Sequence, residues 1–296
     1  MTVSDDNGRA PLRSVSGATT TADRLPHALD APEVAERLHG RRPAVFLDYD
    51  GVLTPIVPRP EDAIMSDDMR DIVRALAQRC SVCVVSGRDR AVVSELMGVD
   101  DLIVAGSHGF DIYDPARGPI VHEASQGWEG LVAEVTERVR AAADDIPGTL
   151  VEPKHASVAL HDRHVADADR PRVTALVEAV LAEHPGELRV TPGKFVHEIQ
   201  PKIDWNKGKA VEHLLDVLDL DHPGPDGRPS VPIYLGDDVT DEDAFRALVA
   251  RADAGRPAGI GILVIDPEDA PSRETSATAV LATVDEVGRF LDGLAR

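Results

Sequence analysis

The chain has 296 residues, and its 31 Lys and Arg against 52 Asp and Glu leave a formal charge of −21 at pH 7. With 43% apolar residues it can build the core of one or two domains, but a field this negative disfavours DNA, RNA and anionic membranes, whose phosphates demand clustered Lys and Arg. Two cysteines make no disulfide framework, and no run approaches the roughly 18 apolar residues of a spanning helix. The acidic start Met1-Thr2-Val3-Ser4-Asp5-Asp6 lacks the basic and apolar regions of a signal peptide, so a cytoplasmic protein is expected, without nucleic-acid or membrane partners.

Residues 1–40 read as a flexible arm, polar and aperiodic to about residue 30, with a short helix after Pro32 carrying Val34, Ala35 and Leu38 on one face. Ala44-Val45-Phe46-Leu47 is an apolar run of the kind that forms a fully buried strand, stopped at once by Asp48-Tyr49-Asp50-Gly51. Ser66 can cap a helix bearing Met69, Ile72, Val73 and Leu76, which leads to a second buried strand ending at Ser86-Gly87-Arg88. Cys80 and Cys83, beside Val82, Val84 and Val85, read as strand packing, since no further Cys pair completes a zinc site. A helix with Val92, Val93 and Leu96 follows, then a strand at Leu102-Ile103-Val104-Ala105 and the turn Gly106-Ser107-His108-Gly109. Strands and helices alternating at this spacing predict an α/β fold, a Rossmann-like parallel sheet with right-handed crossovers.

Between about residues 115 and 203 the rhythm changes. Helices over about 128–143 and 172–183 flank two stretches of period two, Ser157-Val158-Ala159-Leu160-His161 and Lys194-Phe195-Val196-His197-Glu198-Ile199, which suit an antiparallel sheet with one face covered. We therefore expect a core of residues 41–115 and 204–296 and an inserted α+β domain of residues 116–203. From Lys207 the first pattern resumes, with a helix through Val211, Leu214, Leu215 and Leu218 and a loop containing Pro223, Pro225, Pro229 and Pro232. The strand Ile233-Tyr234-Leu235, a strand over 260–265 and a C-terminal helix with Val284, Val287, Leu291 and Leu294 complete it.

In an open parallel sheet ligands bind beyond the carboxyl ends of the strands, and three of four polar clusters fall there. Asp48-x-Asp50-Gly51 puts two carboxylates directly after a dry strand. Gly236-Asp237-Asp238-Val239-Thr240-Asp241-Glu242-Asp243 does the same, and its five acids within seven residues repel one another unless a cation or a proton intervenes. Oxygen-only ligands suit Mg²⁺; the alternative is that Thr240 or Asp241 caps the next helix. Ser86-Gly87-Arg88 can hold a phosphoryl oxygen by hydroxyl and helix N-terminus or be an N-cap. Lys207-Gly208 opens a helix with a charge that can neutralise a phosphoryl group or face solvent.

In the order Asp48/Asp50, Ser86, Lys207, Asp237, these clusters resemble the haloacid dehalogenase superfamily of phosphohydrolases. Phe46-Leu47-Asp48-Tyr49-Asp50-Gly51, Val85-Ser86-Gly87-Arg88, Gly106-Ser107-His108-Gly109, Glu152-x-Lys154, His161-x-Arg163, Asn206-Lys207-Gly208 and the run from Leu235 to Phe245 resemble trehalose-6-phosphate phosphatases. The likeness runs from about residue 44 to the C-terminus. It implies a core of haloacid dehalogenase type with a mobile α+β cap, and a nucleophilic Asp48 that forms an aspartyl-phosphate. Asp50 would be general acid and then base, with Ser86 and Lys207 stabilising the transferring oxygens. It further implies Mg²⁺ held by Asp48, Asp237 and the backbone carbonyl of Asp50, with Asp238 or Asp241 in support. Arg88, His108, Glu152, Lys154, Arg163, Lys194 and Glu198 would bind the sugar phosphate, Lys194 and Glu198 sharing one strand face.

Val52 stands where the superfamily often has Thr, at a position used through its backbone. The rival readings are a capped phosphatase for another sugar phosphate such as sucrose 6-phosphate, and a silent sugar-phosphate-binding regulatory domain. A receiver domain has no use for the insertion. No glycosyltransferase half is expected, so a separate trehalose-6-phosphate synthase would supply the substrate.

Overall fold

The structure, a computed structural model, describes residues 19–122, 127–193, 195–224, 226–265 and 270–296. A two-residue strand β1 (Thr20–Thr21) leads through a 3-10 turn to α1 (Pro32–Leu38), β2 (Arg42–Leu47), α2 (Asp67–Ala77), β3 (Ser81–Val85), α3 (Arg90–Met97) and β4 (Ile103–Gly106). The hairpin of β5 (Asp111–Asp114) and β6 (Gly118–Ile120) follows. Next come α4 (Glu129–Ala143), β7 (Leu150–Pro153), β8 (Val158–His161), α5 (Arg170–Glu183), β9 (Leu188–Gly193) and β10 (Val196–Pro201). The chain ends with α6 (Lys207–Val217), β11 (Ser230–Gly236), α7 (Glu242–Ala250), β12 (Ile260–Val264), β13 (Glu274–Thr275), β14 (Ala279–Leu281) and α8 (Val284–Ala295).

An eight-stranded sheet in the order β14-β12-β11-β2-β3-β4-β5-β6 forms the core, parallel from β14 to β4 and antiparallel over its last two strands. Alternate residues of its central strands serve two layers. Val45, Leu47, Ile233 and Leu235 pack with Val73 and Leu76 of α2 and Leu291 of α8, while Phe46, Cys83 and Tyr234 pack with Leu214 of α6 and Phe245 of α7. Burial on both faces explains why these strands are continuous apolar runs in sequence. The Ser66 hydroxyl accepts the Met69 N–H at 3.2 Å and caps α2 as its sequence predicts.

Four local expectations change. The described part of the arm is ordered: β1 pairs with β13, Ala22 and Ala28 are buried, and Ala28 N–H donates to Val280 O at 2.9 Å. Small side chains held by backbone bonds carry no hydrophobic period, so the sequence reads as an arm. The core sheet also runs on to Ile120, because the short hairpin β5-β6 continues it past residue 115. Pro232 lies within β11, paired with Ala44 near the strand's start, and not in the preceding loop. The inserted region gains β7 and β9, giving the antiparallel order β7-β8-β10-β9.

Helices α4 and α5 cover one face of that second sheet, with Val135, Val139, Val173 and Val177 against Val158, Leu160 and Ile199. The register sets Glu152 and Glu198 on either side of Ala159, in one row across the sheet. Phe110 of the core and Trp128 beside α4 meet edge to face at 5.6 Å, in a cluster with Val132, Ala156 and Trp205 that joins the two layers. No helix among the described residues is long and apolar enough to cross a membrane.

Candidate active site

Strands β11, β2 and β3 are neighbours in the sheet, so the residues that follow or end them, Asp237, Asp48 and Ser86, emerge side by side at one edge. Gly51 closes the turn after Asp50 at φ +72°, and a Cβ there would sit 2.3 Å from the Asp237 carboxyl carbon. Glycine is therefore required both for the backbone conformation and for the approach of the two loops. Tyr49 N–H donates to Asp48 Oδ1 at 2.7 Å, fixing the carboxylate against its own strand end.

Lys207 is the first residue of α6, whose N-cap Asn206 accepts the Lys209 N–H at 2.9 Å. Only 2% of it is exposed. A helix N-terminus and a dry interior both disfavour an ammonium. Two carboxylates hold it there: Nζ donates to Asp48 Oδ2 and to Asp241 Oδ1, each at 2.7 Å. Burial works against the Lys207 charge, but these two carboxylates prevail and raise its pKa above the ordinary lysine value.

Asp241 is the hub of the acidic loop. Besides Lys207 it accepts the Tyr234 hydroxyl at 2.6 Å and the N–H groups of Asp237 and Asp238 at 3.0 and 2.9 Å. It thus combines the capping role with charge pairing. Asp238 is exposed and its Oδ1 accepts the Val239 N–H at 2.7 Å, so the structure leaves it out of the cluster in which the sequence had placed it.

Asp48, Asp237 and Asp241 each offer an oxygen within 4.8 Å of the others. Burial pushes the Asp48 carboxyl up to about 8, against the pull of Lys207, and burial with the nearby Asp241 pushes Asp237 up to about 7. Three carboxylates share one ammonium, which leaves a surplus of negative charge. That surplus, and an all-oxygen donor set, fit a divalent cation.

Asp50 is held differently. Arg88 grips both of its oxygens, Nε to Oδ2 and Nη2 to Oδ1 at 2.6 Å each, and donates Nη1 to Pro60 O at 2.8 Å. Arg88, expected to bind substrate, is thus spent on Asp50, and the Asp50 side chain is not in the cation cluster. Ser86 is buried and its Oγ accepts the Arg88 N–H at 3.2 Å. His108 follows Ser107 in the left-handed region, at φ 57° and 50° respectively. Its N–H donates to Ser86 O at 2.8 Å and its ring abuts Gly87. Burial, reinforced by Lys207, pushes the imidazole down to about 4, so it is neutral at neutral pH.

Glu198 of β10 and Lys154, just after β7, also act electrostatically on His108, so both lie near it. There Lys154 Nζ lies 3.6 Å from Glu198 Oε1, and the Ser157 hydroxyl donates to the same oxygen at 2.7 Å. Glu152 Oε2 meets His161 Nε2 at 2.7 Å. Arg163 is exposed and stacks over the Phe195 ring at 5.5 Å, apart from the Lys154–Glu198 pair. Lys194 lies outside the described residues. Tyr234 and Ser157 were not anticipated. The signal for Tyr234 is a hydroxyl in an otherwise aliphatic strand, which must find a buried partner.

A carboxylate at the end of a parallel strand, clamped by a buried lysine beneath an α+β insertion, is the arrangement of the haloacid dehalogenase class of phosphohydrolases, and the chain has that fold with a cap domain. Within this class it belongs to the trehalose-phosphatase family, whose sequence profile matches residues 46–285. A trehalose-phosphate phosphatase of Mycobacterium tuberculosis is 38% identical over 284 residues, covering 96% of this chain and 69% of that protein. Another M. tuberculosis protein, named an uncharacterized glycosyl hydrolase, is 41% identical over 283 residues, 95% of this chain but 20% of its own, so the chain spans about a fifth of that relative. Among solved structures, the C-terminal domain of C. albicans trehalose-6-phosphate phosphatase superposes with a TM-score of 0.68 at 26% identity, over 92% of this chain and 98% of that one.

Proposed function

We propose that the chain is a Mg²⁺-dependent phosphatase that hydrolyses trehalose 6-phosphate to trehalose and phosphate. The observation that carries this reading is Lys207, buried between Asp48 and Asp241 at 2.7 Å from each, with Asp237 completing the cluster. A folding core has no use for such a group at a strand end; a phosphoryl-transfer site does.

In this reading an oxygen of Asp48 attacks phosphorus as the bond to the sugar oxygen breaks, giving an aspartyl-phosphate. Asp50 gives a proton to the departing sugar oxygen. It then takes one from the water that cleaves the acyl phosphate. Both of its oxygens lie on Arg88 here, so Asp50 must turn away from Arg88 to do so. Lys207 and Ser86 hold the transferring oxygens in place. Asp48, Asp237 and the Asp50 carbonyl, with Asp241 behind them, would hold Mg²⁺, which when bound would neutralise charge between an anionic nucleophile and an anionic substrate. Glu152, Lys154, Arg163, Lys194 and Glu198 of the cap, with His108 beneath, would read the disaccharide. The 38% identity to a protein named a trehalose-phosphate phosphatase, and the family profile over residues 46–285, support that assignment of substrate. A trehalose-6-phosphate synthase would supply it.

The test is phosphate release from trehalose 6-phosphate, sucrose 6-phosphate and a hexose monophosphate, each with EDTA and with Mg²⁺ restored. Preference for trehalose 6-phosphate, lost in EDTA and recovered with Mg²⁺, is expected. Preference for either other substrate overturns the substrate assignment, and no release from any of them favours a silent binding domain.

A further inference from the structure

We propose that Arg273 is a positioning residue for the cation site: it aims the Asp237 carboxylate by holding the Asp237 backbone. The inference rests on the cation reading of the Asp48–Asp237–Asp241 cluster. Arg273 Nη1 donates to the carbonyl of Asp237, from a point 36 residues further along the chain. The N–H of Asp237 is held by the Asp241 carboxylate at 3.0 Å. The peptide groups on both sides of the Asp237 Cα are therefore pinned, the first by Asp241 and the second by Asp241 at the Asp238 N–H and by Arg273 at the carbonyl. Pinning both fixes the direction of its Cα–Cβ bond, and so restricts the carboxylate to the few rotamers about that bond.

Arg273 can hold this position because its own backbone is fixed. Its carbonyl accepts the Ala22 N–H at 3.0 Å, its N–H donates to Ala270 O at 3.1 Å, and the next two residues pair with β1. A second tie lies three residues on, where Ser276 N–H donates to Glu242 Oε2 at 2.8 Å, on a carboxylate that is itself buried. Residues 273–276 thus grip the acidic loop at both ends, at Asp237 and at Glu242. The N-terminal strap of residues 20–22 in turn grips them. The ordered strap and the loop that bears the cation ligands form one backbone-bonded unit, although they lie more than 200 residues apart in sequence.

Groups that orient metal ligands typically contribute about 10–100-fold to metal affinity. Among the described residues Arg273 engages a partner through Nη1, and Nη2 has none. A lysine ammonium can therefore supply the same single bond, whereas methionine keeps the stem and removes the donor.

The test is a titration of the substrate-free protein with Mn²⁺, reading free Mn²⁺ by electron paramagnetic resonance, on wild type, Arg273→Met and Arg273→Lys, with thermal melts alongside. We expect Arg273→Met to bind Mn²⁺ about tenfold more weakly or worse, and Arg273→Lys to stay within about threefold of wild type. At saturating Mg²⁺ the KM of Arg273→Met should match wild type. Equal Mn²⁺ affinity of wild type and Arg273→Met overturns the positioning role alone. Loss of affinity in both variants, in step with their melting temperatures, marks Arg273 as merely structural and overturns it too. Wild type that fails to bind Mn²⁺ overturns the cation reading itself.

Discussion

On the floor of the cleft the side chains of Asp48, Lys207 and Asp241 expose 9%, 2% and 0% of their surface, whereas on the cap those of Lys154 and Glu198 expose 23% and 28%. Floor charges are locked by short bonds to one another and to backbone N–H groups. On the cap Lys154 pairs loosely with Glu198, at 3.6 Å, in a setting where an ion pair is worth roughly 0–1 kcal/mol. The difference separates two tasks. A site that must stabilise charge in the transition state gains from groups that need not reorganise. A surface that must recognise hydroxyls gains from partners it can exchange at little cost. Substitutions on the floor should therefore change rate, and substitutions on the cap should change binding.

The strongest way to break this contrast is Asp48→Asn. It removes the attacking oxygen while leaving Lys207 paired with Asp241, so phosphate release should fall on the order of 10⁴-fold or more with the fold retained. Single-turnover phosphate release, with circular dichroism as the control for folding, measures it. Activity within about tenfold of wild type would place the nucleophile elsewhere.

A smaller effect is expected on the cap. Glu198→Ala frees Lys154 and Ser157 and removes a candidate acceptor for sugar hydroxyls. Its KM for trehalose 6-phosphate should rise about 10–100-fold with kcat within about threefold. Steady-state kinetics on both parameters decides it. A loss confined to kcat would move Glu198 into the machinery of the floor and erase the distinction drawn here.

The two regions also differed in how far their sequence could be read. Asp48, Ser86 and Asp237 follow apolar runs that can only be buried strands, so the chemistry shows as an abrupt change of character over two or three residues. Lys207 opens a helix, where a lysine can neutralise a phosphoryl group or face solvent, and the resemblance chooses between the two. Arg273 left no signal, because its role depends on a fold that brings residues 22, 237 and 273 together. Asp238 and Asp241 looked equivalent in sequence; what separates them is a three-residue turn that caps with one and buries the other. On the cap, alternation marks the strand of Glu198 but not β7, which has four residues, or β9, whose alternation stops at Pro192. Which cap side chains meet one another depends on register, which period-two alternation leaves open.

The smallest expected effect tests the surplus charge directly. Without a cation, burial holds the folded Asp48 near 8 and Asp237 near 7, against 3.8 for an ordinary aspartate. A carboxyl with a raised folded pKa binds its proton more tightly when folded, so its contribution to stability is complete below about pH 4 and fades as pH rises through 7 and 8. The melting temperature in EDTA should therefore decline over that window. Mg²⁺ competes with those protons, so the melting temperature it adds should grow from little at pH 5 to about 5 °C at pH 8, if the ion is present at about 100 times its dissociation constant. Asp237→Asn should abolish that growth while Glu198→Ala leaves it intact, because only the floor holds more carboxylates than its one ammonium can balance. Scanning calorimetry at both pH values measures it, and an equal Mg²⁺ shift at pH 5 and pH 8 would mean that the floor is already balanced without the cation.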